Sequence, residues 1–491
     1  MSRHAQPDIR KGTKVTKPCD LSAVEARRLI GINALSPVEL LDSCLERISE
    51  TNGTLNAVVA MDEAAAKANA KAAEKAVADG EDLGLLHGLP VGIKDLNPTR
   101  DLRTTWGSLI YKDHVPAEDD HMVANVRAAG ANVFSKTNTP EFGAGANTTN
   151  RVYGPTGNPF DPSKTCAGSS GGSAAALAAG MMPLATGSDY GGSLRTPAGF
   201  CGVTGYRPSP GVVPAVGRPI SLNPFSVVGP MGRTVADTHL LLLAQQDTNL
   251  RDPFSSMDDM DIPATLAGAD LSSMRVAIST DLGCAPVDKD IAATFEQRVG
   301  KFRHVFLNAH NRDPRMHDVH EAFEITRGVN FVGAHRDRLE HHRDLLDRNV
   351  IDNTERGLKY SLGDVAWAHT VQTQIYNDFI DLFEDVDILI CPTASVSPFP
   401  HSQLFVEEIN GEEMPTYMRW LALSYALTMA LPASCSLPCG VDHLVMPFGI
   451  QIVGPNGSDA LVLEVAHSLE QVLSSDPETA RPVADLAKLN A

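Results

Sequence analysis

The chain predicts an α/β fold organised around one large sheet, and three observations carry that expectation. Short apolar runs (Leu89 to Ile93, Ala131 to Ser135, Pro183 to Thr186, Val203 to Tyr206) alternate with small-residue helical stretches such as Val123 to Ala129 and Ser173 to Ala179. Alternation of this kind is the pattern of strands and the helices that cover them. The same texture returns after Val386. No low-complexity linker interrupts the 491 residues, although at about 100–200 residues per domain that length has room for three.

The elements follow in order. Residues 20 to 80 read as helical. Ser36-Pro37-Val38-Glu39 supplies a capping residue, a proline at the first helical position and a glutamate three after the cap, a helix-start signature. Val38, Leu41, Leu45 and Ile48 then share one face. A β-like run, Leu55 to Met61, precedes an Ala/Lys/Glu-rich helix that stops at Gly80. From Leu85 to Gln246 the strand–helix alternation dominates, with glycine and proline crowded between Gly154 and Pro214. Such crowding marks tight turns or close approach to a ligand. Residues 247 to 385 are less regular, with a strand at Arg275 to Ser279 and a charged helical stretch from Glu321 to Arg348. After the strand Val386 to Cys391, Leu437 to Gly440 and Phe448 to Gly454 can pair as a hairpin before a closing helix, Ser458 to Leu473.

Composition removes several function classes. Lysine and arginine total 41 against 60 acidic residues, a formal charge of −19. That surface repels phosphate backbones and anionic lipid, so neither direct nucleic-acid binding nor membrane binding is expected. The eight cysteines are too scattered for a disulfide scaffold, and the nearest pair, Cys435 and Cys439, has no second half for a structural zinc. Buried thiols in a reducing cytosol are expected instead. His335, His341 and His342 sit among Arg336, Arg338 and Arg343, whose charge opposes a metal ion, so no metal is assigned. The start, Met1 to Asp20, is polar and lacks the apolar core of a secretory signal. The longest apolar run, Ala174 to Ala185, contains Gly180 and Pro183 and is too short to span a bilayer. A soluble, cytoplasmic protein is predicted.

Three stretches carry chemistry. In Cys166-Ala167-Gly168-Ser169-Ser170-Gly171-Gly172-Ser173, Gly168-x-Ser170-x-Gly172 fits the nucleophile elbow of α/β-hydrolases. That elbow needs an apolar strand before it, and a polar loop, Asn158 to Thr165, stands there instead. A phosphate loop fails too, because no Gly-Lys-Ser/Thr follows. Gly187-Ser188-Asp189-Tyr190-Gly191-Gly192-Ser193-Leu194-Arg195 places a second serine among glycines, where converging backbone N–H groups can stabilise an oxyanion. Gly88-Leu89-Pro90-Val91-Gly92-Ile93-Lys94-Asp95 ends an apolar strand in lysine, an expensive residue to bury.

Together these stretches resemble the amidase signature family, serine hydrolases that use Ser–Ser–Lys. Lys94 corresponds to the family's lysine, Ser169 to its bridging serine and Ser193 to its nucleophile, and the intervals between them are those of the family. The resemblance extends through Ser226 to Met231 and Cys391-Pro392-Thr393, fades between 250 and 380, and recovers at Gly449 to Pro455. It implies the amidase signature fold, a large mixed central sheet covered by helices on both faces. On that basis residues 1–491 form one domain. Within it, 1–84 are an N-terminal helical segment, 85–246 the catalytic core, 247–385 a variable helical region, and 386–491 an α/β part completing the sheet. The chain departs from the family pattern at Ala167, where a glycine is usual, at Tyr190, and at Leu96-Asn97-Pro98-Thr99.

The resemblance also implies a mechanism. Lysine has a free pKa of about 10.4, so a neutral lysine at pH 7 requires about 4–5 kcal/mol from its surroundings. Lys94 then accepts a proton from Ser169, which accepts one from Ser193. Ser193 attacks the amide, and backbone N–H groups of Tyr190, Gly191, Gly192 and Ser193 hold the oxyanion. A cis peptide is implied at Gly168-Ser169. Gly143 and Tyr190 are expected to contact substrate, with Phe142 and Trp106 lining an aromatic acyl pocket, while Asp189 and Arg195 are structural. No cofactor is required. The expected function is hydrolysis of small amides, with aryl amides, carbamates and esters open. The alternative is the A subunit of a tRNA-dependent glutamine amidotransferase, supplying ammonia to partner subunits. A homodimer is one option, and the sequence does not set the oligomeric state.

Overall fold

The computed structural model describes residues 17–255 and 262–489, so most of the polar start lies outside the described residues. Helix α1 (Ala23–Gly31) is followed by α2 (Pro37–Leu55), whose cap is the predicted one. Ser36 Oγ accepts from Val38 N at 3.0 Å, and Glu39 Oε2 accepts from Ser36 N at 3.1 Å. Strand β1 (Val58–Met61) starts later than its apolar run because Asn56 caps α2 in a left-handed conformation. Helix α3 (Glu63–Asp79) then stops at Gly80.

The middle of the chain alternates as expected: β2 (Pro90–Lys94), α4 (His121–Ala128) and β3 (Asn132–Thr137). The stretch expected as a polar loop instead contains a small ribbon of β4 (Gly157–Asn158) and β5 (Asp161–Thr165), separate from the main sheet. Asn158 holds it, donating from its side-chain amide to Thr165 O and Phe200 O. Then come α5 (Gly171–Ala178), β6 (Leu184–Asp189), α6 (Arg195–Cys201), β7 (Thr204–Arg207), β8 (Val227–Gly232) and α7 (Val235–Gln245).

The region expected to be mostly helical contains the expected strand, β9 (Arg275–Ile278), and a further one, β10 (Asn308–Asn311), with α8 (Lys289–Phe302) between them. Only β9 carries an apolar signature. Strand β10, Asn-Ala-His-Asn, is an edge strand defined by its parallel ladder to β9. Three helices follow, α9 (Val319–His342), α10 (Arg348–Gly357) and α11 (Leu362–Asp385), and then β11 (Ile388–Pro392). A second ribbon, β12 (Glu408–Ile409) with β13 (Glu412–Glu413), precedes α12 (Ala422–Thr428). The hairpin of β14 (Ala433–Val441) and β15 (Pro447–Gly454) and the closing helix α13 (Asp459–Ser474) match the sequence pattern.

Among the described residues, eleven strands form one mixed sheet in the order β1-β3-β2-β6-β8-β7-β14-β15-β11-β9-β10. The β2–β3, β2–β6, β9–β10 and β9–β11 pairs are parallel and the rest antiparallel. Both faces are buried, as successive side chains demonstrate. Ile388 and Ile390 join one apolar cluster with α7, α8 and α13, whereas Leu389 and Cys391 join another with α9, α11 and α12. Period-two burial into two cores is what a sheet covered on both sides requires. Truncating one such residue to alanine costs about 2–5 kcal/mol. No helix among the described residues is long and apolar enough to cross a membrane. The eight cysteines are unpaired thiols, seven of them buried and Cys284 half-buried.

Candidate active site

Topology brings the lysine and the serines together. Strands β2 and β6 are parallel neighbours, with Val91 opposite Leu184, so their C-terminal ends emerge side by side. That is where open α/β sheets place their ligands. Strand β2 ends at Lys94 and β6 at Asp189, and the loop after β6 carries Ser193 into α6. From the other side comes Ser169, joined to Gly168 by the expected cis peptide, just ahead of α5. Helix α5 can approach because Gly172 is bare: a Cβ there would lie 2.2 Å from the Asn138 backbone nitrogen. A backbone bond from Ser170 N to Ser193 O, at 3.2 Å, ties the two serine loops together.

Lys94 is fully buried. Its Nζ lies 2.7 Å from Ser169 Oγ and 2.9 Å from both Ser170 Oγ and Ser188 Oγ. Among the described residues no carboxylate forms an ion pair with it. Burial therefore drives its pKa well below the usual lysine value, against a weaker opposing pull from Asp189. An ammonium has three N–H donors and no acceptor, whereas a neutral amine has two donors and a lone pair. Ser170 accepts from Ser188 N at 3.3 Å and directs its own hydroxyl toward Ser188 O at 3.4 Å. Three hydroxyls match the three donors of an ammonium and equally the two donors and lone pair of a neutral amine, and burial favours the neutral form.

Ser169 and Ser193 both line an open cleft of about 680 Å³, together with Leu96, Phe142, Gly143, Ser188, Tyr190 and Gly191. Lys94 stands behind Ser169 and does not line the cleft. The Ser193 hydroxyl makes no hydrogen bond among the described residues, and the residue is half-buried. Ser170 is fully buried beneath Lys94, which excludes the nucleophile-elbow arrangement. Gly143, expected to contact substrate, lies beside the bridging serine: a Cβ there would lie 3.3 Å from Ser169 Oγ.

Two expectations are corrected. The Gly192 amide, expected among the oxyanion donors, instead donates to Asp189 Oδ1 at 2.9 Å. The reason is the carboxylate beneath the loop. Asp189 also accepts from Leu194 N at 3.1 Å, from Arg195 Nε and Nη2 at 3.0 Å, and from Arg207 Nη1 at 3.2 Å. The two guanidinium groups hold its pKa well below the carboxylate range despite burial, and Asp189 and Arg195 are the structural pair the sequence suggested. Trp106 does not line the cleft. Its ring packs on Tyr111 and His114 at 4.9 and 5.4 Å, and its carbonyl accepts from Phe142 N at 2.7 Å.

The structure adds groups that no sequence motif marks. The far wall of the cleft is α9, which presents Arg327, Asn330, Phe331 and His335. The four-residue steps from Arg327 to Phe331 to His335 mark one helical face, a spacing hidden by the surrounding charges. His335 packs on Phe142 at 4.8 Å, and burial with nearby Arg338 and Arg327 pushes its pKa down to about 3. His341 turns away, bonded to Asp337 O. A second buried lysine, Lys136 on β3, lies opposite Ile93. It contacts Asn97 O and Thr99 Oγ1, and burial lowers its pKa to about 8.

Comparison with known proteins adds the family context. The sequence model of a family described as Amidase matches residues 39–463. The chain is 31% identical to an acylamidase of Rhodococcus erythropolis over 454 residues, 92% of this chain and 95% of that one. It is 30% identical to the A subunit of the glutamyl-tRNA(Gln) amidotransferase of Bacillus pumilus, covering 93% of this chain and 98% of that one. Among solved structures, a bacterial aryl acylamidase of the amidase signature family superposes with a TM-score of 0.86 at 26% identity, covering 93% of this chain and 96% of that one.

Proposed function

We infer that this chain, which belongs to the amidase signature family of amidohydrolases, cleaves the C–N bond of small amides, aryl amides included, through a Ser193 acyl-enzyme. The observation that carries this reading is a buried Lys94, with no ion-pair partner among the described residues and its Nζ 2.7 Å from Ser169 Oγ, behind a cleft that Ser169 and Ser193 both line. Serine is a weak nucleophile until a base takes its proton. Neutral Lys94 accepts the Ser169 proton, Ser169 accepts that of Ser193, and Ser193 Oγ attacks the carbonyl carbon. The oxyanion is held by backbone N–H groups of the loop, those of Tyr190, Gly191 and Ser193, while the Gly192 amide stays on Asp189 and keeps the loop in shape. The proton returns through Ser169 to the departing amine, and water then frees the acid. The hydrogen bond between the two serine hydroxyls forms when substrate fills the cleft, since catalytic hydrogen bonds are often completed only in the substrate complex.

The acylamidase and aryl acylamidase relatives support aryl or aliphatic amides as substrates. Carbamates and esters are parts of the same proposal, as are the single-domain organisation over 1–491 and a cytoplasmic location. The eight unpaired thiols support the last. A fluorophosphonate probe tests the site: it should label Ser193 and lose that label in Ser193→Ala, with anilide hydrolysis lost in parallel. Labelling and activity that survive in Ser193→Ala would overturn the assignment. A second reading, glutaminase component of a tRNA-dependent amidotransferase, is favoured by the full-length relatives at 30% identity. Co-purification with partner subunits supports that reading, and steady anilide turnover by the isolated chain opposes it.

A further inference from the structure

The far wall of the cleft holds a cation without an anion. Arg327 is 6% exposed. Its Nε donates to Asn353 Oδ1 at 3.1 Å and its Nη2 to the Tyr417 hydroxyl. Its guanidinium also stacks over Phe331, Tyr417 and Tyr190 at 4.6, 5.5 and 5.7 Å. Among the described residues Nη1 has no acceptor. The nearby acids are engaged elsewhere. Glu324, one turn earlier on α9, pairs with Arg356 and Arg419 and accepts from Thr416, and Asp352 pairs with Arg348. No aspartate or glutamate among the described residues lines the cleft; besides Arg327, its titratable wall groups are Tyr190 and His335. Tyr190 is neutral at pH 7, with its phenol pushed up to about 12, and His335 is uncharged as well. Arg327 thus lines both the cleft shared with Ser169 and Ser193 and an adjoining pocket whose acids, Glu324 and Asp352, are paired with other arginines.

We propose that Arg327 binds a carboxylate of the substrate, so that the amides this chain takes best are anionic ones. The inference rests on the amidase reading above and narrows its substrate class. An arginine presents a planar fork of N–H donors that matches a carboxylate, and a buried cation is costly until an anion arrives. The aromatic rings and the bonds from Nε and Nη2 anchor the guanidinium, and Nη1 keeps no acceptor among the described residues. A carboxylate here supplies the missing counterion, and Nη1 is the donor that would meet it.

Two substrate pairs test this. N-(4-nitrophenyl)glutaramate against 4-nitrobutyranilide places the charge on the acyl side, and 4-acetamidobenzoate against acetanilide places it on the leaving amine. In at least one pair the wild-type chain should favour the anion in kcat/KM by about 10–100-fold, the worth of a charge-assisted hydrogen bond. Arg327→Gln should bring that ratio close to unity, and Arg327→Lys should retain part of it. A merely structural Arg327 would lower both members of a pair together, which overturns the proposal. Absence of any preference in the wild-type chain, which needs no variant, overturns it as well. Hydrolysis of neutral anilides without charge preference leaves the amidase reading standing. If no anilide is cleaved, calorimetric binding of glutarate to the Ser193→Ala chain decides separately: binding lost with Arg327→Gln supports the carboxylate site, and no binding overturns it.

Discussion

Two walls of one cleft are built on opposite plans. The catalytic wall, from β2, β6 and the loops before α5 and α6, is made of serines and glycines around a single long side chain, Lys94. Its geometry is set by the backbone: the Ser170–Ser193 tie, the cis peptide at Ser169, and the amides of Gly192 and Leu194 on Asp189. The facing wall is one helix, α9, whose Arg327, Phe331 and His335 reach in at four-residue steps. The first plan is fixed by main-chain hydrogen bonds and leaves little room for change. The second can exchange side chains without moving the main chain. Proton transfer needs the former, and selection among amides needs only the latter.

The sharpest way to break this contrast is at the relay. Ser193→Ala and Lys94→Ala should each lower kcat by at least about 10³-fold while the protein remains folded, measured as anilide hydrolysis alongside a thermal melt. With neutral Lys94 as the proposed base, the wild-type profile should rise with pH. Its acid limb should have a midpoint well below lysine's usual 10.5, as burial dictates. Survival of that limb in another active-site background such as Gly143→Ala, and its absence once Lys94 is gone, would sharpen the assignment.

Asp189→Asn comes next and acts through the fold. Removing one partner from a buried ion cluster costs about 3–5 kcal/mol, visible as a lowered Tm and a slackened nucleophile loop. The sign with pH follows from the depressed folded-state pKa of Asp189. Its stabilisation is present above the unfolded value of about 3.9 and is lost as pH falls toward the folded one. The variant should therefore lose most at neutral pH and converge on wild type in acid.

Gly143→Ala should lower kcat about tenfold with a smaller change in Tm. Its Cβ would stand 3.3 Å from Ser169 Oγ and 3.1 Å from Leu96 Cδ1, at φ +72°, and small displacements of reacting groups are costly. The smallest expected effect is a gain. Ala167 sits at φ +60°, where a side chain costs about 1–2 kcal/mol and glycine loses about 0.5–1 in entropy. Ala167→Gly should thus stabilise by up to about 1 kcal/mol in chemical denaturation, with unchanged kcat. An equal or lower midpoint would show that the surroundings have absorbed the methyl.

Much of the catalytic wall is legible in the sequence because its groups lie in short contiguous segments. Lys94 ends an apolar run, and Ser169 and Ser193 stand among glycines whose clustering marks close backbone approach. Apolar alternation likewise locates β2, β3, β6, β7, β9, β11 and the β14–β15 hairpin. Strand β10 escapes such a reading because Asn-Ala-His-Asn has no apolar alternation and pairs at an edge, where nothing must be buried. The ribbon of β4 and β5 escapes it because the long-range bonds of Asn158 fix it. Ala167 is visible in the sequence as a departure where glycine is usual, and its φ of +60° in the structure shows that the departure carries a cost.

What the sequence determined by itself was the family and the residues of the proposed relay: a lysine and two serines at set intervals, in segments whose small residues permit close backbone approach. The tertiary structure decided how those groups are used. It withdrew Gly192 to Asp189, moved Trp106 off the cleft and brought α9 across it. Intervals along the chain report local backbone requirements, whereas the environment of a charge depends on residues far away in sequence. Whether Arg327 meets an acid or a cavity is a fact about packing, and only the assembled sheet and helices contain it.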